Sequence, residues 1–112
     1  MRHSRLNAYH IMWLFVFFDL PTNTKTERKN ASGFRKKLMA DGFTMMQYSV
    51  YSRHCASRES SAVHIKRVKS FVPSKGQVSI MEITDKQYGT IMNFWGKKTD
   101  PLPEGPKQLE LF

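Results

Sequence analysis

Asp19 is the residue whose type and place most invite chemistry. It is the one acidic residue in the first 26. It closes an apolar run, Ile11 to Phe18, and Leu20-Pro21 follows at once. The run reads as a strand, so the carboxylate stands at a strand's C-terminal end, just before a loop. Open α/β sheets put functional groups there. The same place also suits a carboxylate that faces the dipole of the following helix, and position alone weighs the two readings equally. One carboxylate is a poor metal site. Mg²⁺ usually takes one or two, with water and substrate phosphate filling its shell. A two-fold axis near the strand end would bring a second Asp19. Two like charges so placed would raise one pKa unless a cation lay between them. Mg²⁺ held by such a pair activates water against a phosphodiester.

The other candidates for chemistry are weaker. His3, His10, His54 and His64 show no metal-ligand spacing, and Cys55 is the single cysteine, which argues against zinc and excludes an internal disulfide framework. His54 and Cys55 are adjacent, and neighbours in an extended segment point to opposite faces, so they make no thiol–imidazole dyad. There is no P-loop or Gly-x-Gly-x-x-Gly motif. The seven methionines read as core filler.

Charge speaks more clearly. Eighteen Lys and Arg face nine Asp and Glu, a net charge of +9. Twelve of the 18 lie between residues 25 and 75: Lys25, Arg28, Lys29, Arg35, Lys36, Lys37, Arg53, Arg58, Lys66, Arg67, Lys69 and Lys75. Only Glu27, Asp41 and Glu59 oppose them there, and the rest of the chain is about neutral. Solvated helix faces usually mix signs and gain i,i+4 pairs. An imbalance of one sign points instead to a polyanion, and phosphate binding is the favoured reading. The aromatic residues do not interleave with these cations in sequence. Base stacking is therefore not indicated, and backbone contact with a duplex fits better.

These residues must be positioned by a chain of 112 residues, 40% of them apolar, which bounds the protein to one thin-cored domain. Met12 to Phe18 reads as a strand buried on both faces, because its hydrophobicity does not alternate. The basic stretch before it resembles a signal peptide only superficially, since no small-residue cleavage pattern follows, and the run is too short to span a bilayer. A cytoplasmic protein with no membrane partner is expected. Thr24 to Glu27 matches a capping box, and the helix after it carries Ala31, Phe34 and Leu38 on one stripe. Gly42 is placed to end that helix in the left-handed region. Phe43 to Arg53 reads as a second strand with Met46, Tyr48 and Val50 on one face. Ser57 caps a second helix with an Ile65, Val68 and Val72 stripe, and Pro73 stops it. Gln77 to Thr84 is a third strand, Asp85 to Tyr88 a turn or short helix, and Thr90 to Trp95 a fourth strand. Asp100 to Pro106 holds three prolines, and Leu109, Leu111 and Phe112 need a surface to bury against. The order predicts a βαββαβ split motif: an antiparallel sheet with two helices on one face. Residues 1–11 form an extension, 12–97 the domain, and 98–112 an arm with a terminal strand.

Four elements together carry a family resemblance. The strand Leu14-Phe15-Val16-Phe17-Phe18-Asp19-Leu20-Pro21, then a basic helix, then Gln47-Tyr48-Ser49-Val50-Tyr51 and a small basic second helix resemble the CRISPR-associated protein two family. The wording is most similar to members from type II systems, and the resemblance covers residues 12 to 112. It implies a ferredoxin-like α+β homodimer with Asp19 of both protomers at a shared cleft, where Mg²⁺ binds as cofactor. It implies a role in spacer acquisition, in which the dimer bridges dimers of the integrase subunit and its basic flanks hold double-stranded DNA. It implies that Leu109, Leu111 and Phe112 pack on the dimer or the integrase subunit. Family members are also described as metal-dependent nucleases acting on RNA or DNA, which makes Asp19 the expected catalytic residue. The loop Thr22-Asn23-Thr24 is less acidic than in many members, which favours the scaffold role over the nuclease role. The alternative is a toxin-like endoribonuclease of the same fold that acts without an integrase. A sheet-face RNA-binding module shares the element order, but it would carry aromatics on the third strand, and Gln77 to Thr84 has none.

Overall fold

A computed structural model describes residues 11–96. The extension other than Ile11, and the arm with Leu109, Leu111 and Phe112, lie outside the described residues. The elements are β1 (Met12–Asp19), α1 (Lys25–Ala40), β2 (Thr44–Gln47), β3 (Val50–Cys55), α2 (Arg58–Ser70), β4 (Gln77–Thr84) and the one-turn α3 (Asp85–Tyr88). The sheet order is β2-β3-β1-β4 and every neighbouring pair is antiparallel. This is the expected ferredoxin-like βαββαβ arrangement.

β1 has a ladder on each side, which is why it is apolar throughout. Side chains alternate along a strand. Met12, Leu14, Val16 and Phe18 point to the helix side and are buried there with Phe34, Leu38, Phe43, Tyr51, Cys55 and Val68. Burying each large aliphatic side chain stabilises the fold by about 1.5–3 kcal/mol. Trp13, Phe15 and Phe17 take the other side. There the indole Nε1–H of Trp13 donates to Asp85 Oδ1 at 2.7 Å. The Tyr88 ring stacks on Trp13 with centroids 3.7 Å apart.

Local chemistry sets the helix ends. The Thr24 hydroxyl accepts from the Glu27 amide at 3.1 Å, and Glu27 Oε1 accepts from the Thr24 amide at 3.0 Å. Ser57 Oγ accepts from the Ser60 amide and caps α2. Gly42, at φ +90°, ends α1 as expected.

Three expectations are corrected. Phe43 to Arg53 is not one strand: the chain reverses at Tyr48-Ser49 between β2 and β3, and a register shift sits between Met45 and Gln47. The shared face expected for Met46, Tyr48 and Val50 is lost with it. Thr90 to Trp95 is not a strand. The amides of Thr90 and Ile91 bond back to the carbonyls of Gln87 and Tyr88, so they close turns on α3 instead of joining a ladder. The α2 stripe is Ser61, His64 and Val68, with Ile65 half-buried and Val72 exposed. Polar Ser61 and His64 are admitted because each has a partner. Ser61 donates to Glu82 Oε2 at 2.5 Å, fastening α2 to β4.

His64 joins α2 to the end of α1. Its Nδ1 lies 2.7 Å from Asp41 Oδ2, and Arg67 donates to Asp41 Oδ1 at 2.9 Å. Arg53 Nε donates to the Asp41 carbonyl at 2.8 Å. Burial alone would push the Asp41 carboxyl up, but the hydrogen bonds and charges of His64 and Arg67 outweigh it, and the group is held below the ordinary 3.8. The folded pKa thus lies below the unfolded one. Stability from this group is present above the unfolded value and is lost as pH falls through the folded value. Asp41→Asn is expected to cost about 2 kcal/mol at pH 7. In urea denaturation the gap between mutant and parent should narrow below pH 4; a gap unchanged at pH 3 would show that the carboxylate charge contributes nothing.

Candidate nucleic-acid interface and the Asp19 hollow

Asp19 is the last residue of β1 and is exposed. By alternation it shares the side of Trp13, Phe15 and Phe17, opposite the helices. It pairs in register with Gln77 of β4. A hollow of about 300 Å³ opens beside it, lined by Phe17, Phe18, Asp19, Ser49, Val50, Gln77 and Ser79. Among the described residues no three of His, Cys, Asp and Glu converge on one point. Within one chain the hollow has a mostly apolar lining and one carboxylate, that of Asp19.

The strand end is held by a glycine that the sequence reading did not single out. Gly76 precedes β4 at φ +95°. A Cβ there would lie 2.8 Å from both the Asp19 carbonyl oxygen and Leu20 Cδ2. Only glycine lets the two chain segments come so close. The signal in the sequence was Lys75-Gly76 just before an apolar run, a turn marker whose close partner sits 57 residues earlier.

His54 is exposed and Cys55 buried, on opposite faces as expected. Burial pushes the Cys55 thiol up, away from a reactive thiolate. Neither belongs to the Asp19 hollow.

The expected phosphate contacts divide into two groups. The arginines have structural partners. Arg53 is fixed on the Asp41 and His54 carbonyls. Arg67 pairs with Asp41, and Arg58 lies 3.5 Å from Glu82. Arg28 donates to the Thr22 and Asn23 carbonyls and braces the loop that follows Asp19. Arg35 lies over two rings, with its guanidinium carbon 3.7 Å from the Tyr48 centroid and 5.1 Å from that of Phe18. Lys37 reaches over Phe71 at 5.9 Å. By contrast Lys25, Lys29, Lys36, Lys66 and Lys69 are exposed and make no ion pair among the described residues. Lys25, Lys29 and Lys36 share a helical stripe opposite Ala31, Phe34 and Leu38. Lys66 sits on the outer side of α2. These five lysines lie on the helix layer, whereas Lys75, also exposed and without an ion pair among the described residues, stands in the loop before β4; Asp19 lies on the far side of the sheet from the helices.

The sequence matches the family described as CRISPR associated protein Cas2 over residues 12–91. The chain belongs to the Cas2 family. It is 53% identical over 110 residues to the CRISPR-associated endoribonuclease Cas2 of Flavobacterium psychrophilum, covering 98% of this chain and 96% of that one. It is 54% identical over 101 residues to the protein of the same name from Parvibaculum lavamentivorans, covering 90% of this chain and all of the relative. A solved structure titled as a crystal structure of cas2 superposes with a TM-score of 0.57 at 17% identity, over 90% of this chain and 99% of that one. This last likeness concerns the fold alone.

In this Cas2-family chain the placement of Asp19 depends on Gly76. Gly76→Ala must relieve both a backbone clash and a left-handed φ. The expected loss is about 2 kcal/mol, or roughly 8 °C in Tm. Thermal denaturation measures it, and an unchanged Tm would mean that the turn relaxes without cost to the Asp19 strand end.

Proposed function

We propose that this chain is a scaffold subunit of CRISPR spacer acquisition that dimerises, holds a DNA duplex on its helix layers and bridges dimers of the integrase subunit. The observation that carries the reading is the division of the molecule. Lysines without an ion pair among the described residues lie on one side of the sheet, and an apolar side that α1 and α2 leave open, with only the one-turn α3 on it among the described residues, lies on the other. On that open side Phe17 is half-buried and Met81 is 43% exposed. A second copy is the natural cover, because stacking two such faces removes apolar area from water. Asp19 stands at the rim of the same face, so a two-fold partner would bring a second carboxylate close. The integrase partner and the role of Leu109, Leu111 and Phe112 rest on the family resemblance.

A nuclease activity, on RNA or DNA, is the second element of the proposal. It is supported by the relatives' names as endoribonucleases. Within one chain Asp19 is the single carboxylate on a largely apolar hollow; a paired Asp19 from a second copy would supply the second carboxylate for Mg²⁺, whose remaining positions water and phosphate would fill. When bound, the ion supplies Lewis-acid polarisation of a phosphoryl oxygen. The chain's own part is to hold the carboxylate at the strand end and leave the hollow open. A stand-alone endoribonuclease would need only this half of the reading.

Three measurements test it. Gel filtration is expected to give a dimer, and Phe17→Glu a monomer. Lys29→Ala with Lys36→Ala should lower the salt slope of duplex binding by about 2; an unchanged slope would remove these lysines from the interface. Asp19→Asn should abolish cleavage while dimer and duplex binding persist. Cleavage retained by that variant would place the activity elsewhere. Efficient RNA turnover by the dimer without an integrase would favour the stand-alone reading.

A further inference from the structure

We infer that Tyr48 is a stacking platform for one unpaired nucleobase at the edge of the Asp19 hollow. The inference rests on the reading that the helix layer carries nucleic acid, and it adds a site on a different element. Tyr48 forms the tip of the β2–β3 hairpin and is 71% exposed. One face of its ring is taken by the Arg35 guanidinium, whose carbon lies 3.7 Å from the centroid. With so much of the residue in solvent, the other face is open.

An exposed tyrosine ordinarily turns freely, and ordering it opposes binding. This one is held. Arg35 Nε donates to the Tyr48 carbonyl at 3.3 Å, and the same guanidinium lies over the Phe18 ring. The hairpin tip is pinned in turn to β1, where the Phe18 amide donates to the Ser49 carbonyl at 3.1 Å. Three contacts thus fix an aromatic plane before any ligand arrives. The cation behind it also adds electrostatic attraction toward a phosphate-bearing strand.

The location names the ligand. Ser49, the next residue, lines the hollow with Asp19. Arg35 is adjacent in sequence to Lys36 on the cationic stripe. A strand passing from the helix layer to Asp19 on the β3 side of β1 crosses this tip. A base inside a duplex has both faces covered by its neighbours, whereas an unpaired base at a strand end presents a free face. Every base has a π-face, so the contact is tolerant of sequence. Sequence spacing hides the arrangement, because Arg35 and Tyr48 stand 13 residues apart and meet only when α1 packs beside the hairpin.

The test uses the full chain with two duplexes, one blunt and one with a short 3′ overhang carrying 2-aminopurine, and a 2-aminopurine trinucleotide alone. DNA and RNA versions of the overhang identify which backbone supplies the base. Quenching of 2-aminopurine is expected on binding. Tyr48→Leu should abolish the quenching and weaken overhang binding by about tenfold, leaving blunt-duplex affinity unchanged. Tyr48→Phe should restore both. Equal binding and quenching by Tyr48→Leu and the parent chain would overturn the inference. With an unchanged Tm for Tyr48→Leu showing that the fold is intact, an equal loss for blunt and overhang substrates would overturn it too, since Tyr48 would then serve the duplex and not an unpaired base. If neither duplex binds, the helix-layer reading fails, and trinucleotide quenching still decides the platform by itself.

Discussion

The structure depends on β1 being a central strand with a ladder on each side. A strand in that place must be apolar in both directions, and Met12 to Phe18 meets the demand with no polar residue. The consequence is a molecule with two unlike sides. Leu14 and Val16 are fully buried under the helices. Trp13, Phe15 and Phe17 face away from them, and among the described residues Tyr88 of α3 packs against Trp13 and Phe15. Asp19 is where the apolar run stops. Its place at the rim of the uncovered side follows from strand parity: one residue fewer in β1 would turn the carboxylate into the helix side, against Phe34 and Leu38.

Much of this could be read from the sequence, because it is local. A capping box, a left-handed glycine and a run of apolar residues each declare themselves within a few positions. Thr24–Glu27, Gly42 and β1 all stand where the spacing puts them. The hairpin at Tyr48-Ser49 did not declare itself. It lacks the Gly, Asn or Asp that marks a two-residue turn, and its support comes from Arg35 and from the β1 amide of Phe18, both distant in sequence. The segment from Thr90 onward failed for the opposite reason. Its residues suit a strand, but a strand is made by its neighbour, and here the amides found α3 first. For the site, the carboxylate at the strand end and the basic helices were legible. The close approach of Gly76 to Asp19 was not, since it is a property of two chain ends brought together.

The cations show why a charge count overstates an interface. Arginine's planar fork suits carbonyls, carboxylates and rings, and the described arginines of the two helices and β3 are used that way. Arg53 and Arg67 both converge on Asp41, 12 and 26 residues away in sequence, and no periodicity reveals such a pairing. Lysine, with a compact and strongly hydrated charge, is what remains on the outside. Contacts made by such lysines to phosphate are long-range and sequence-independent, and they weaken with salt. That is the chemistry of holding a duplex, and it carries no information about its sequence.

The same geometry constrains how holding and cutting relate. Helices pack on a sheet about 10 Å away, and the free lysines lie on the outer surface of that layer while Asp19 faces the other way. A straight duplex resting on the lysines is separated from Asp19 by the whole thickness of the protein. Stacking two open faces in a dimer would move the carboxylates further inside and the lysines further outside. On the proposed reading, one duplex segment would therefore not be held and cleaved at once. On the proposed reading a strand end that leaves the duplex would reach the carboxylate by turning around the end of the sheet, and on the β3 side that route passes the hairpin that carries Tyr48. On the proposed reading scaffold and nuclease need not compete: they would apply to different parts of a nucleic acid, paired on the helix side and unpaired at the rim.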